Sequence, residues 1–274
     1  MTDIEGRPPI LTYKHFGSPS AFTPESLLRE ARRQKGLAEG SVPEACILDP
    51  DGDLVRRLKT EGRAAADPAW SCYHTELHRF VEAGIEFGII GCAVGAPFAV
   101  LLAEQLFASG CRLLISMTSA GQLVAVRPPP YFVLIERALR DEGTSYHYAA
   151  PAEFSAIDDA LMATLRGAFD DLRVPVLRGA TWTTDAPFRE TLEAIATMRA
   201  KELLAVEMEA AALYAFARAR AKAVLCFAHV TNQMGRIEGD FEKGEADGTT
   251  DALGVIVAAA RRLMEVPPAP GRAS

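Results

Sequence analysis

Short apolar runs recur along the chain and are separated by amphipathic or alanine-rich segments. An apolar run of this length predicts a strand that is buried on both faces. The predicted strands cover residues 45–48, 87–93, 111–117, 131–135, 174–180 and 223–230. The predicted helices cover residues 54–58, 98–107, 157–169 and 250–263. This alternation indicates an α/β fold with a parallel strand–helix–strand unit over residues 87–117.

The first forty residues follow a different pattern. Residues 10–15 predict a short strand before a Gly-Ser-Pro break. Thr23 is a suitable N-cap and Pro24 a suitable first helical residue, so a helix is predicted from there to about Gly36. His15 lies at the end of the predicted strand, and a lone histidine at such a place is more often structural than catalytic.

No repeat, low-complexity block or linker divides the chain. We therefore expect a single domain over residues 1–274, with an N-terminal extension over residues 1–40 and a disordered tail over residues 267–274. The charged, glycine-bearing residues 235–248 predict a mobile loop.

Two carboxylates stand at the head of an apolar, alanine-rich segment, residues 206–214, which predicts a packed helix. Glu207 and Glu209 are two positions apart, so on a helix they point to different sides and can hardly both face bulk water. One interpretation is a helix N-terminus whose acids complement the helix dipole. From the pattern alone this structural interpretation is favoured over a functional one.

Hydroxyl and amide groups follow two of the predicted strands. Thr118, Ser119 and Gly121 come after the third strand, and Thr231 and Asn232 come after the last. Open α/β sheets bind ligands at the carboxyl ends of their strands, where hydroxyls and free backbone amides can hold an anion. Short polar turns are also common without any ligand.

Two further segments carry mixed polar and aromatic groups. Residues 181–190 combine hydroxyls, an acid, two aromatic rings and Arg189. Such a set suits stacking of a planar ring and pairing with a phosphate, but it also suits an ordinary helix cap. Residues 140–148 are either a solvated loop or the rim of a site.

Composition narrows the class of partner. The 274 residues carry a formal net charge of -7, which argues against nonspecific binding to nucleic acid or to an anionic membrane. Five scattered cysteines have neither disulfide nor zinc spacing and predict buried thiols in a reducing cytoplasm. No apolar run approaches a membrane span, and the acidic turn at residues 49–53 is interpreted as a loop, since it lacks the later glutamate of a calcium site. We expect a cytoplasmic protein with a small-molecule partner and no bound metal.

Several of these stretches together resemble one family. The segment Val206-Glu207-Met208-Glu209-Ala210-Ala211 is similar to the ribose-binding motif of the nucleoside phosphorylases of the purine nucleoside and uridine phosphorylase superfamily, which also contains nucleosidases. The resemblance extends from about residue 45 to residue 263. It implies a three-layer phosphorylase/hydrolase-like α/β fold, in which a central mixed, mostly parallel sheet is flanked by helices.

The resemblance also implies an activity and a set of roles. Family members cleave an N-glycosidic bond with phosphate, which is a co-substrate, and they need no cofactor. On this basis Glu209 binds the ribose hydroxyls, Met208 packs on the sugar, and Glu207 adds a polar contact. The remaining candidates are Thr118, Ser119, Gly121, Gly95 and Arg189 for phosphate, Phe188 and Thr231 for the nucleoside, Asn232 as a catalytic group beside the base, and His15 for the ribose of a neighbouring subunit. A homodimer or a trimer of dimers is implied.

Three departures from the family leave alternatives open. Ser116 stands where phosphorylases have an arginine, and residues 49–53 lack a second one, although Arg56, Arg57, Arg79 or Arg189 are candidate replacements. Asn232 replaces an aspartate that protonates purines, and an amide cannot deliver a proton as a general acid. Thr191 and Glu193 replace the residues that recognise uracil. A hydrolytic nucleosidase and a catalytically silent nucleoside-binding protein are therefore the alternatives to a phosphorylase.

Overall fold

The computed structural model describes residues 8–234 and 240–264. Its strands are β1 (Ala45–Asp49), β2 (Ala65–Ala66), β3 (His78–Glu82), β4 (Ile85–Gly91), β5 (Leu113–Gln122), β6 (Tyr131–Asp141), β7 (Phe154–Ala156), β8 (Val176–Thr184), β9 (Ala205–Glu207) and β10 (Ala223–Asn232). Its α-helices are α1 (Pro24–Lys35), α2 (Asp53–Thr60), α3 (Ala96–Ala108), α4 (Asp159–Thr164), α5 (Leu192–Ala200), α6 (Ala210–Arg220) and α7 (Thr249–Met264). Short 3-10 helices lie at Pro9–Leu11, Thr144–His147, Pro187–Arg189 and Glu245–Gly248.

All the strands belong to one mixed sheet, as expected from the sequence. Its centre is parallel, since β1 lies between β4 and β5 and all three run in the same direction, as does β10 on the far side of β5. The pairings β5–β10, β10–β6, β6–β8, β8–β9 and β9–β5 close into a ring. Antiparallel pairs join β10 to β6 and β5 to β9, and add β3 and β2 at the outer edge.

The sheet forks along one edge of β5. Strand β1 pairs with β5 as far as Ser116, whereas β9 meets the same strand only from Gly121 onward. Over residues 117–120 that edge of β5 is covered by neither of these two strands. A fork between diverging strands is where open α/β sheets admit a ligand.

Helix α6 packs behind the fork, and its first two turns are apolar on all sides. Residues 210–216 are all buried, as expected for an alanine-rich helix enclosed by protein. The hydroxyl of Tyr214 donates to the carbonyl of Ile135 on β6 (2.6 Å) and accepts the amide of Cys226 on β10 (3.1 Å). These bonds fix α6 against the ring of strands.

The main hydrophobic core draws on residues from Val42 to Ala260. It therefore includes the sheet and the helices on both sides of it, while the division into one domain, an extension and a tail stays a prediction. The tail at residues 267–274 lies outside the described residues, as do residues 235–239 of the expected mobile loop. Among the helices of the described part of the chain, none combines the length and the apolar character that a membrane crossing requires.

The expected strand at residues 10–15 is wrong. The chain forms a 3-10 turn at Pro9–Leu11 instead, since consecutive prolines fix φ and remove backbone donors. The expected helix at residues 157–169 shortens to α4, which Asp158 caps and which ends before Gly167, whose φ is +68°. Cys92 is exposed, contrary to the expectation of five buried thiols, whereas the other four cysteines are buried and free.

Several strands extend beyond the apolar runs that predicted them. Strand β5 continues to Gln122 because β10 pairs with it from Leu113 to Gly121 and β9 pairs with its last two residues. The polar residues Thr118, Ser119 and Gly121 therefore lie in the strand and not in a turn after it. In the same way, Thr231 and Asn232 are the last residues of β10.

Candidate active site

The candidate site lies at the fork of the sheet, where the turn from β9 into α6 faces the free edge of β5. Glu207 ends β9 and Glu209 immediately precedes α6. The two acids therefore stand on a strand-to-helix turn and not on one helix as the sequence suggested. Both are buried, at 3% and 1% exposure.

Glu207 organises this turn. One of its carboxylate oxygens accepts the hydroxyls of Thr181 (3.1 Å) and Thr183, both on β8. The other accepts the backbone amides of Glu209 and Ala210, each at 2.7 Å. The protein itself occupies both oxygens, so this acid satisfies the N-terminal amides of α6. Its predicted contact with substrate stays a prediction.

Glu209 faces the free edge of β5. Its Oε1 accepts the backbone amide of Gly95 (2.7 Å), which precedes α3, and its Oε2 accepts the amide of Met208 (3.3 Å). Burial, together with the charge of Glu207, raises the pKa of Glu209 from 4.5 to about 8, against the opposing effects of the Gly95 amide and the nearby Thr118 hydroxyl. The Gly95 amide that was predicted to bind phosphate is thus engaged by Glu209.

Gly121 marks a close approach between β5, β9 and the end of β10. A Cβ there would meet Met234 Sδ at 2.4 Å and Asn232 Oδ1 at 3.3 Å. The side chain of Asn232 is held by the Met234 amide, which donates to Oδ1 (2.9 Å), and its Nδ2 donates to the Thr231 hydroxyl (3.2 Å). The structure therefore brings Asn232, Thr231 and Gly121 to the same corner of the fork.

A charged cluster lies beside Ser119 of β5, at the turn between β1 and α2. Ser119 Oγ donates to Asp51 Oδ2 in the turn between β1 and α2, and Lys243 Nζ lies 3.3 Å from the same oxygen. Lys243 also contacts Asp53, which in turn pairs with Arg56. Burial acts to raise the pKa of Asp53, but the bonds and charges of Lys243 and Arg56 lower it overall. The acidic turn is thus charge-balanced by two cations.

Sequence reasoning missed Lys243. It lies in a segment that the sequence marked only as a charged loop, and nothing in the local pattern links residue 243 to residues 51 and 53. Asp49, in contrast, is buried, and its Oδ2 accepts the Val55 amide of α2 at 2.9 Å. Burial raises the pKa of Asp49 to about 7.

The structure places the arginines suggested as replacements as follows. Arg57 binds Glu61 and the hydroxyls of Thr249 and Thr250, whereas Arg79 pairs with Asp67 and Glu86. Arg189 is exposed on the 3-10 helix Pro187–Arg189. Arg56 is the one of these four residues that joins the charged cluster.

Other predicted residues lie at the surface or serve the fold. Phe188 is 100% exposed, and His15 is exposed in the N-terminal segment.

The two residues that replace those recognising uracil belong to helix α5. Thr191 caps α5 by accepting the Ala194 amide (3.2 Å), and Glu193 lies in the first turn of that helix. Ser116 is buried, and its hydroxyl has no hydrogen-bond partner in the described part of the chain. Met208 is partly buried beside Glu209.

Residues 140–148 are fastened to the protein by hydrogen bonds and do not form a fully solvated loop, while their place at the rim of a site stays a prediction. Arg140 is buried in β6; its Nε donates to the Ser145 hydroxyl (2.8 Å) and its Nη1 to the Ala150 carbonyl (2.7 Å). Trp182 Nε1 donates to Asp141 (2.9 Å), which links this segment to β8. Within residues 8–234 and 240–264, no group of three or more His, Cys, Asp or Glu side chains could hold a metal ion.

Comparison with known sequences places this geometry among known proteins. The sequence profile described as "Phosphorylase superfamily" matches residues 40–262. A guanosine phosphorylase from Halorubrum lacusprofundi is 28% identical over 186 residues, which cover 66% of this chain and 75% of the relative. A uridine phosphorylase from Treponema pallidum is 29% identical over 191 residues, which cover 64% of this chain and 72% of the relative.

Solved structures show the same fold. The crystal structure of uridine phosphorylase from Vibrio fischeri in complex with 6-hydroxy-1-naphthoic acid superposes with a TM-score of 0.70 and 20% identity, covering 85% of this chain and 99% of that one. Purine nucleoside phosphorylase from Toxoplasma gondii in complex with immucillin-H superposes with a TM-score of 0.68 and 16% identity, covering 82% and 92% of the two chains.

Proposed function

The chain belongs to the phosphorylase superfamily, and from this premise we propose that it cleaves the N-glycosidic bond of a nucleoside with inorganic phosphate. A phosphate oxygen attacks the anomeric carbon, the bond from that carbon to the base nitrogen breaks, and the base takes up the proton that hydrogen phosphate loses as it becomes the phosphate monoester. The products are the free base and ribose 1-phosphate. The observation that carries the proposal is the buried Glu207–Glu209 turn at the fork of the sheet.

The acidic turn supports chemistry on the sugar. In such a reaction positive charge develops on the ribose ring, and a preorganised negative group beside it stabilises the transition state. Glu209 is suited to this role in its ionised form, because Gly95 and Met208 hold its carboxyl group in place. Since its pKa is raised to about 8, the ionised fraction, and with it turnover, should rise as pH approaches 8. Glu207 holds the turn from behind, and Met208 is the apolar surface for the sugar.

Phosphate would enter on the β5 side. The candidates for binding it are Thr118 and Ser119 on this strand. Gly121 has no side chain and so lets Met234 and Asn232 approach the end of the strand closely. No cofactor is required by this reaction, since phosphate itself is the nucleophile. The base would lie toward Asn232 and Thr231, where the amide can donate a hydrogen bond to it but not a proton. Phe188 and Arg189 would reach the substrate only if their segment closes over the site.

A hydrolytic nucleosidase is the second candidate function. The observation that favours it is the Asp51 carboxylate on the Ser119 hydroxyl, because a negative group there opposes a phosphate dianion but can orient a water molecule. The alternative of a catalytically silent nucleoside-binding protein is supported by Asn232 alone. Nucleoside turnover by the wild type that the Glu209→Ala variant abolishes would exclude this alternative.

We also propose that the protein acts as a homodimer or a trimer of dimers in the cytoplasm. Support for assembly comes from the exposed aromatic residues Tyr13, Phe16 and Phe22 around His15, which would reach a neighbouring subunit. Support for a reducing compartment comes from the four buried free thiols. Light scattering coupled to size exclusion tests the assembly, and a monomer at working concentration would contradict it.

The test of the function is a panel of purine and pyrimidine nucleosides, incubated with and without phosphate. We expect base release that depends on phosphate. Base release that proceeds equally in phosphate-free buffer would show that the protein is a hydrolase and not a phosphorylase. No base release from any nucleoside in either condition would contradict both enzymatic candidates.

A further inference from the structure

Lys243 and Ser119 converge on one oxygen atom. Asp51 Oδ2 accepts the Ser119 hydroxyl and lies 3.3 Å from Lys243 Nζ. An ammonium and a hydroxyl aimed at a single anionic oxygen form a donor pair of the kind that also binds a phosphate oxygen. In this structure a carboxylate of the protein holds that position.

We propose that Lys243 is the cation that binds the phosphate co-substrate, and that Asp51 holds the same two donors until phosphate displaces it. This inference rests on the proposed phosphorolytic function. It assigns to a lysine the task that the missing arginines leave open, and it gives the acidic turn a role in phosphate affinity.

The segment that carries Lys243 is fastened to the site. The backbone amide of Glu242 donates to the Thr231 carbonyl (2.8 Å) at the end of β10. Asp240 is buried, and its carboxylate accepts the Gln233 amide at 2.9 and 3.0 Å. These bonds hold Lys243 beside the same strand end that carries Asn232, so its position is set by the fold.

Neighbouring groups offer little alternative positive charge. His229 is stacked on the ring of Phe132 (4.5 Å between centroids). Burial, with added repulsion from Lys243, lowers the pKa of His229 to about 4, so the ring is neutral at physiological pH. Arg56 has its guanidinium paired with Asp53 and its side chain 59% exposed. Lys243, at 27% exposure, is the more enclosed cation.

The Asp51 carboxylate can move away from Ser119 and Lys243 when phosphate binds. Its side chain is 30% exposed and lies in the turn before α2, so it can rotate into water. Two carboxylates already balance Lys243 and Arg56, and a phosphate dianion would add further negative charge. Neutralising Asp51 should therefore strengthen phosphate binding, while removing the charge of Lys243 should weaken it.

The experiment is a calorimetric titration of the full-length protein with inorganic phosphate, paired with steady-state kinetics at varied phosphate. We expect Lys243→Met to raise the phosphate Kd and KM by about tenfold or more, which is the usual effect of losing one charge-assisted hydrogen bond, with the nucleoside KM little changed. Asp51→Asn should lower the phosphate Kd several-fold. Lys201→Met is the matched control, because Lys201 pairs with Glu153 at the surface after α5 and should leave both constants unchanged.

Each contrary result has its own meaning. Phosphate-dependent turnover with an unchanged phosphate Kd in a folded Lys243→Met protein would overturn this inference and leave the proposed function standing. Weaker phosphate binding by the Asp51→Asn variant would overturn the proposal that phosphate displaces Asp51. Nucleoside cleavage by the wild-type protein without phosphate, and without measurable phosphate binding, would overturn the proposed function and this inference together. Thermal melts of all variants show that they are folded.

Discussion

The two halves of the candidate site are built differently. On the sugar side, Glu207 is buried and its oxygens are satisfied by two β8 hydroxyls and two backbone amides of the turn. On the anion side, Ser119 and Lys243 meet Asp51 through partly exposed contacts on a turn and a loop segment. The carboxylate of the first half is held by buried hydrogen bonds, whereas the carboxylates of the second are held by ion pairs that solvent can reach.

The sugar side therefore has a fixed geometry, whereas the anion side can rearrange. A buried, hydrogen-bonded carboxyl group keeps one geometry because breaking its bonds leaves unsatisfied polar groups. Partly exposed ion pairs contribute little to stability and rearrange readily. The sugar half is thus ready for a ribosyl ring, while the anion half must exchange an internal carboxylate for phosphate.

The largest effect is expected from Glu209→Gln. The amide has the same shape but cannot carry the negative charge that the carboxyl group gains as pH passes its pKa of about 8, so kcat/KM at pH 8.5 should fall by about 10²- to 10³-fold. Kinetics on the preferred nucleoside, with circular dichroism to confirm folding, measure this. Turnover within a few-fold of wild type would show that the sugar half does not depend on this charge.

Glu207→Ala should act mainly on stability. It leaves two hydroxyls and two amides without their acceptor in a buried place, and should lower the free energy of unfolding by about 3 kcal/mol. The matched control is Glu44→Ala, which removes a glutamate that pairs with Arg112 at the surface and should cost less than about 1 kcal/mol. If urea denaturation gave equal losses of unfolding free energy for the two variants, the contrast between the buried, hydrogen-bonded Glu207 and the exposed Glu44 would be wrong.

The pH dependence of stability sharpens the same contrast. The pKa of Glu209 is raised to about 8 in the folded protein, so between its ordinary value of 4.5 and about 8 the folded state binds more protons than the unfolded state. Stability from this group is fully present below about pH 4.5, is lost progressively as pH rises, and is gone once pH has passed the folded-state pKa of about 8. Calorimetry from pH 6.5 to 8.5 should show a larger fall in Tm for wild type than for Glu209→Gln; parallel curves would contradict the raised pKa.

The smallest effect is expected from Asp53→Asn. This change weakens the contacts to Lys243 and Arg56, but partly exposed ion pairs contribute roughly 0–1 kcal/mol each. Urea denaturation should show a loss below about 1 kcal/mol that diminishes in high salt. A loss above about 2 kcal/mol would mean that the anion half is as firmly built as the sugar half.

The sequence predicted the repeating elements well because their apolar periodicity is local. The strands β1, β4 and β10 and the helices α1, α3 and α7 lie close to the expected positions. It failed where tertiary pairing decides the outcome. Strand β10 extends β5 through Thr118 and Ser119, and Glu207 ends a short strand because β8 and β5 pair with β9.

For the site, short-range sequence reasoning found the groups that stand in one motif. Glu207, Met208 and Glu209 are consecutive or nearly so, and their proximity needs no fold. The contact of Lys243 with Asp51 and Asp53 spans about 190 residues, and no local pattern encodes it. The exposure of Phe188 could not be read from its sequence either, since an aromatic residue beside a proline is equally compatible with a buried position.

The identity of the sugar product tests the central claim most directly. The protein should be incubated with its preferred nucleoside and phosphate in water enriched in ¹⁸O, and the sugar analysed by mass spectrometry. We expect ribose 1-phosphate that carries no oxygen from water in its C1–O–P bridge. Free ribose formed at the same rate as the base, with no ribose 1-phosphate, would contradict phosphorolysis and identify water as the nucleophile.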